Sequence, residues 1–186
     1  MPIRTSTQAK LLDAAEELFF SRGITATPVD AVLQRAGVSA ATMYRGYPSR
    51  EALLAAVLDR RHRAWLETWD RAVARQPTDT DRLLAVFDAL DDFRRQPAGS
   101  RWCAFLGSAA EYADAPAEVA RAVRTDTETL RDRLTELARP LAGERAPELA
   151  DQLLLVVTGD LAMRLRDPHH STGTARSIAA ALIRTG

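Results

Sequence analysis

Apolar residues recur at every third or fourth position almost from end to end of this chain, and no segment sustains the strict alternation of a strand. In "TSTQAKLLDAAEELFFSRG", residues 5–23, the residues Leu11, Leu12, Ala15, Leu18 and Phe19 form one helical stripe, and Gly23 supplies a stop. A second helix opens at Thr27-Pro28-Val29-Asp30. Here Thr27 reads as the N-cap, Pro28 as the first helical residue, and Asp30 as an acid facing the positive helix end. Val29, Val32, Leu33 and Ala36 line its inner face, and Gly37 ends it. Ser39 then caps a stub that Gly46 and Pro48 terminate, and Ser49-Arg50-Glu51 starts a long fourth helix reaching to about Arg75.

Proline and glycine punctuate the remainder. Helical spacing continues in "PTDTDRLLAVFDALDDFRRQPAG", in "RWCAFLGSAAEYA", between Pro116 and Pro140, in "PELADQLLLVVTGDLAMRL" and in "TARSIAAALIRTG". The run Leu153–Val157 has the composition of a buried strand, but its flanks keep the helical period, so it reads as helix. The pattern predicts an all-α protein of about nine helices, with a small three-helix head over residues 1–48 and a larger body over residues 49–186. A length of 186 residues suffices for such an arrangement.

The stub after Gly37 is too short to stand alone, because isolated helices below about 12–15 residues are marginal in water. Its neighbours must brace it, and its polar surface (Ser39, Thr42, Tyr44, Arg45) needs a use. A helix, a tight turn at Gly37-Val38 and a second capped helix make a helix-turn-helix, whose second helix enters the major groove of DNA. Tyrosine and threonine hydroxyls suit phosphate oxygens, and Arg50, in the first turn of the next helix, carries a charge for the same backbone. Overall charge is zero, but residues 1–50 carry +2 and the rest −2. A mildly basic head on a mildly acidic body fits a DNA contact confined to one end.

These residues carry a family resemblance. "AGVSAATMYRGYPSREALL", with the preceding "LLDAAEELFFSRGITATPV", resembles the DNA-binding domain of the tetracycline-repressor (TetR) family of bacterial regulators over roughly residues 5–55. The resemblance implies an all-helical homodimer with a small-molecule pocket in its larger C-terminal domain. It implies that Thr27, Ser39, Thr42, Tyr44 and Arg50 touch the DNA backbone, that Ala40, Ala41 and Arg45 lie near bases, and that Tyr47 replaces a core aromatic residue, usually phenylalanine. Two departures stand out: Gly46 occupies a position that is commonly bulky, and Ala40-Ala41 offer only apolar contact to thymine methyls.

In the body, Trp65, Trp69, Phe87, Leu90, Phe93, Trp102, Phe105, Leu106, Leu130 and Leu134, with the polar Glu111 and Tyr112, are candidates to line a pocket for a small hydrophobic or aromatic effector. Large apolar residues at helical spacing are equally the material of an ordinary core. The last two helices carry a second stripe, Leu153, Val156, Ala175, Ile178, Ala179 and Leu182. Beside this stripe, the mid-helix Gly159 asks for close approach of another backbone, as in a two-fold four-helix interface; packing within one subunit is the alternative. The lone Cys103 excludes an intramolecular disulfide framework and fits a reducing cytoplasm, the expected location. No apolar run approaches a membrane span. His169-His170 read as a solvated loop, and no cofactor, metal set or nucleophile–base pair is visible. The expectation is a ligand-responsive regulator, more a repressor than an activator and not an enzyme, that binds a DNA operator as a homodimer. The rival is a helical small-molecule-binding protein or enzyme that keeps the head only for packing.

Overall fold

The computed structural model describes residues 3–96, 103–167 and 169–185. Among these it contains nine α-helices, one short 3-10 turn and no strand, as the periodicity predicts. The helices are α1 Thr5–Arg22, α2 Val29–Ala36, α3 Ala40–Gly46, α4 Arg50–Ala74, α5 Asp79–Arg94, α6 Ala104–Glu111, α7 Ala117–Ala142, α8 Ala146–Arg166 and α9 Gly173–Thr185. None is long and apolar enough to cross a membrane, among the described residues.

Local chemistry sets most of the boundaries. Gly37 adopts the left-handed conformation (φ 65°) after α2, and its amide and that of Val38 donate back to the carbonyls of Gln34 and Leu33. Ser39 caps α3 by accepting from the Thr42 amide at 3.3 Å, and Ser49 caps α4 by accepting from the Ala52 amide at 2.9 Å. Thr78 does the same for α5. One expectation needs correction. Pro28, not Thr27, holds the N-cap position of α2, and it offers no side-chain cap. As expected, α7 stops near Pro140, ending at Ala142; Pro140 lies in the last turn, and the Glu136 carbonyl that loses its amide donor there belongs to an exposed residue that water can serve.

The chain divides into two compact units, residues 1–62 with 104–124, and residues 63–103 with 125–186. The division falls inside α4 and inside α7 rather than at residue 48, and it assigns α6 to the unit that contains α1–α3. In the first unit, Leu11, Ala15, Phe19, Ile24, Val32, Met43, Leu53, Leu54 and Val119 are wholly buried. Arg60 and Arg61 of α4 pair with Asp13 and Glu16 of α1, with Arg61 lying over the Phe20 ring. In the second unit, Trp69, Leu83, Phe87, Leu134, Leu153 and Ala179 form the centre of one hydrophobic cluster.

A polar network closes the second unit. Asp160, buried on α8, holds His170 Nε2 at 2.9 Å and Arg164 at 3.1 Å. Arg164 and Thr172 both reach Asp91 of α5, at 3.3 and 2.8 Å. His170 is therefore partly buried and tied down, which corrects the reading of a solvated loop.

Candidate nucleic-acid interface

Sequence spacing around α3 sorts its side chains into two faces. Met43 is wholly buried and Tyr47, just past the helix, is nearly so; these two anchor the helix in the head. Ala40, Ala41, Tyr44 and Arg45 are exposed, with Tyr44 at 49%. The polar residues on this surface are linked. Ser39 Oγ and Thr42 Oγ1 lie 3.0 Å apart, and Arg45 donates to Thr42 Oγ1 at 3.0 Å. The guanidinium is thus held close to the helix, which lowers the entropy lost when it meets a phosphate or a base. The small Ala40 and Ala41 leave the N-terminal half of α3 free of bulk, so its backbone can approach closely. Gly46 has a different reason: a Cβ there would lie 2.5 Å from Ile3 Cδ1, so the N-terminal segment packs over the end of α3.

Two of the predicted backbone contacts are turned inward. Thr27 is 1% exposed, and its hydroxyl donates to the carbonyls of Gly23 (2.7 Å) and Leu18 (3.2 Å). A hydroxyl committed to two carbonyls cannot also serve a phosphate, so Thr27 is a structural residue of the turn. Arg50 lies over the Phe19 ring and donates to the carbonyls of Thr27 (3.1 Å) and Ile24, to Tyr112 Oη (3.3 Å) and to Glu51 (3.2 Å). Its charge is engaged inside the head rather than offered to solvent.

The residues expected to line a pocket are divided. Trp65, Trp69, Phe87, Leu90 and Leu134 are buried in the cluster of the second unit, with Phe93 and Leu130 packed against it. Trp65 stacks at 5.6 Å from Trp69 and meets Phe93 edge-on at 5.8 Å. The indole N–H of Trp69 is buried without an acceptor among the described residues, and Arg133 lies over its ring at 4.7 Å. Phe105, Leu106, Glu111 and Tyr112 belong to the first unit, and Trp102 lies outside the described residues. Glu111 and Tyr112 correct the expectation most clearly. The Glu111 carboxylate accepts the amides of Ile24 and Thr25, and Tyr112 accepts from Arg50, so neither is held in reserve for an effector.

The stripe on the last two helices is also divided. Leu153, Ala175 and Ala179 are buried within the subunit, and Val156 and Leu182 are partly so. Gly159 is exposed, with nothing among the described residues within 4 Å of where its Cβ would stand, and Ile178 is 48% exposed. Sequence reasoning passed over Leu155, at 74% exposure, and Met163, at 42%. They share the face of Gly159, spaced four residues to either side. In an apolar run like Leu153–Val157, periodicity alone does not tell the covered face from the open one.

Residues 11–57 match the family described as bacterial regulatory proteins, tetR family. Over 135 residues the chain is 33% identical to the HTH-type transcriptional activator FasR of Mycolicibacterium smegmatis, a match covering 72% of this chain and 59% of FasR. Over 94 residues it is 34% identical to an uncharacterised HTH-type transcriptional regulator of Mycobacterium tuberculosis, covering 50% of this chain and 46% of that protein. The matched stretches thus span about half the length of these curated relatives. In structure, the chain is similar to SCO4454, a TetR-family transcriptional regulator from Streptomyces coelicolor, with a TM-score of 0.87, 28% identity and coverage of 98% and 96% of the two chains. A putative regulator of the same kind from Streptomyces avermitilis gives a TM-score of 0.82 at 25% identity, covering 96% and 97%. Motif, exposed α3 face and fold agree: residues 11–57 carry the helix-turn-helix domain of bacterial tetR-family regulatory proteins, with α2 and α3 as its two helices, and the chain has the fold of TetR-family transcriptional regulators.

Proposed function

We propose that this protein is a ligand-responsive repressor that binds a palindromic operator as a homodimer and leaves it when a small hydrophobic or aromatic effector binds. The observation that carries the DNA reading is the exposed face of α3, where Tyr44 and Arg45 stand beside a nearly bare Ala40-Ala41 surface. Two such helices must meet major grooves about 34 Å apart, so the protein has to be dimeric. The uncovered apolar residues on α8, Leu155 and Met163 with Gly159 between them, support self-association through that face. A mid-helix glycine costs about 1 kcal/mol relative to alanine. Nothing among the described residues of its own subunit lies within 4 Å of where a Gly159 Cβ would stand, so a second backbone supplies the reason for it.

The effector site is placed in the second unit, at the Trp65–Trp69–Phe93 aromatic cluster. A buried donor without a partner is unfavourable by about 1–3 kcal/mol, and among the described residues the Trp69 indole is such a donor. The effector is therefore an apolar compound carrying one hydrogen-bond acceptor for that N–H. Because Trp69 sits on the same continuous helix as Arg50, the release of DNA is assigned to a shift of α4.

Operator binding measured against salt tests the DNA reading. Arg45→Ala is expected to weaken binding and, where Arg45 neutralises a phosphate, to flatten the log–log slope by about 0.9. Tyr44→Phe should weaken binding without changing that slope. Wild-type affinity in both variants would remove α3 from the interface. The identity to a protein named as an activator favours a second reading, activation. A promoter fusion in a strain lacking the gene separates the two: higher expression than in the parent strain means repression, and lower expression means activation.

A further inference from the structure

The turn joining α1 to α2 is gripped from two directions by side chains far along the chain. From the end of α6, Glu111 accepts the Ile24 amide at 3.0 Å, the Thr25 amide at 2.8 Å and the Thr25 hydroxyl at 3.0 Å. From the start of α4, Arg50 donates to the carbonyls of Ile24 and Thr27, and it also holds Tyr112, the residue after Glu111. All of these residues lie in the first unit. Gly23, just before the turn, adopts φ 99°, and a Cβ there would already stand 3.8 Å from the Glu111 carboxylate. The carboxylate therefore fits against the bend of the backbone as well as its amides.

We propose that Glu111 is a positioning residue for DNA binding: its carboxylate, opposite Arg50, fixes the turn that sets the direction of α2 and α3, so that the DNA-reading face is prepared before the operator arrives. The proposal rests on the DNA-binding reading of α3. α2 starts at Val29, two residues after Thr27, and α3 follows it by a short turn, so a change at Ile24 and Thr25 is carried to the recognition helix. Ile24 is wholly buried with Glu111 in place, so the carboxylate is the acceptor its amide uses in the closed turn. If the turn opens part of the time, apparent operator affinity falls by the fraction of molecules still closed. Contacts in the bound complex stay the same, so the number of neutralised phosphates, and with it the salt slope, does not change.

The test is Glu111→Gln, whose single carbonyl oxygen cannot accept from both amides as a carboxylate does. Loss of one charge-assisted hydrogen bond predicts an operator affinity lower by about tenfold. The salt slope should equal that of wild type, and amide exchange should quicken at Ile24 and Thr25 while α8 and α9 stay protected. Arg50→Ala, which removes the opposite grip, is expected to behave in the same way. Arg45→Ala, measured alongside, reports on the DNA face itself. Wild-type affinity in Glu111→Gln, with Arg45→Ala impaired, overturns the positioning role and leaves the interface standing. A slope that falls together with affinity in Glu111→Gln also overturns it. If Arg45→Ala and Tyr44→Phe both bind like wild type, the DNA-binding reading fails, and the positioning role with it. Should Glu111→Gln not fold, Thr25→Val deletes only the hydroxyl contact. An affinity about two- to threefold lower supports the proposal, and an unchanged affinity overturns it.

Discussion

Arg45 and Arg50 look alike in the sequence: each is an arginine in or beside the recognition helix, each with hydroxyl residues nearby. The structure gives them opposite tasks. Arg45 is exposed and steadied by Thr42, while Arg50 is folded over Phe19 and saturated by backbone carbonyls. Tyr47 presents the same contrast within one side chain. Its ring is buried, yet its hydroxyl has no hydrogen-bond partner among the described residues. A buried hydroxyl without a partner is unfavourable, so Tyr47→Phe should raise unfolding stability by about 1 kcal/mol without altering operator affinity. Chemical denaturation of both proteins checks this. A less stable Tyr47→Phe would mean that the hydroxyl has a partner after all.

Helix ends in this protein are held by caps, glycines and ion pairs, and one of these pairs makes stability depend on pH. Asp92 on α5 accepts Arg75, beyond the end of α4, at 2.5 Å, and Arg95 at 2.6 Å. The hydrogen bond from Arg75, with help from Arg95, holds the Asp92 carboxyl below the usual aspartate range. A carboxyl depressed in the folded state contributes stability above its unfolded pKa, and that contribution disappears as pH falls through the folded value. Asp92→Asn should therefore melt below wild type at about pH 7, and the difference should shrink towards about pH 3. Melting curves across that range test it, and a constant difference would show that the charge of Asp92 is not what matters.

For the whole molecule, the question is what covers α8. Leu155 and Met163 flank Gly159 on an open face, and Ile178 of α9 is also exposed. If that face is the two-fold interface, Gly159→Leu should hold the backbones apart. Ile178→Asp should place an unpaired charge where water is excluded, which is strongly unfavourable. Sedimentation would then show monomer for both variants, and specific binding to a palindromic site would fall. Full-affinity dimers from both would move the interface to another surface. The Leu153 neighbourhood gives an internal control: Leu153 is buried in the core, so Leu153→Ala should lower the stability of the subunit itself, by about 2–5 kcal/mol.

By itself the sequence determined the all-helical class, the order of the helices and the helix-turn-helix. These depend on interactions within a few residues: the 3.6-residue period, the Ser39 cap, the left-handed Gly37, and a motif whose spacing is local. Tertiary structure alone decided which polar groups are available and which are spent. Thr27 and Arg50 matched DNA-contacting positions, and Glu111 looked like a pocket group, until partners on other helices claimed them. For Glu111 the partner lies 87 residues away. Similarly, periodicity put Leu153 and Gly159 on apolar stripes but could not say which stripe the subunit covers. Helical spacing fixes which residues share a face. What lies against that face, a core, a turn or a second chain, depends on contacts between distant segments, and no local pattern encodes them.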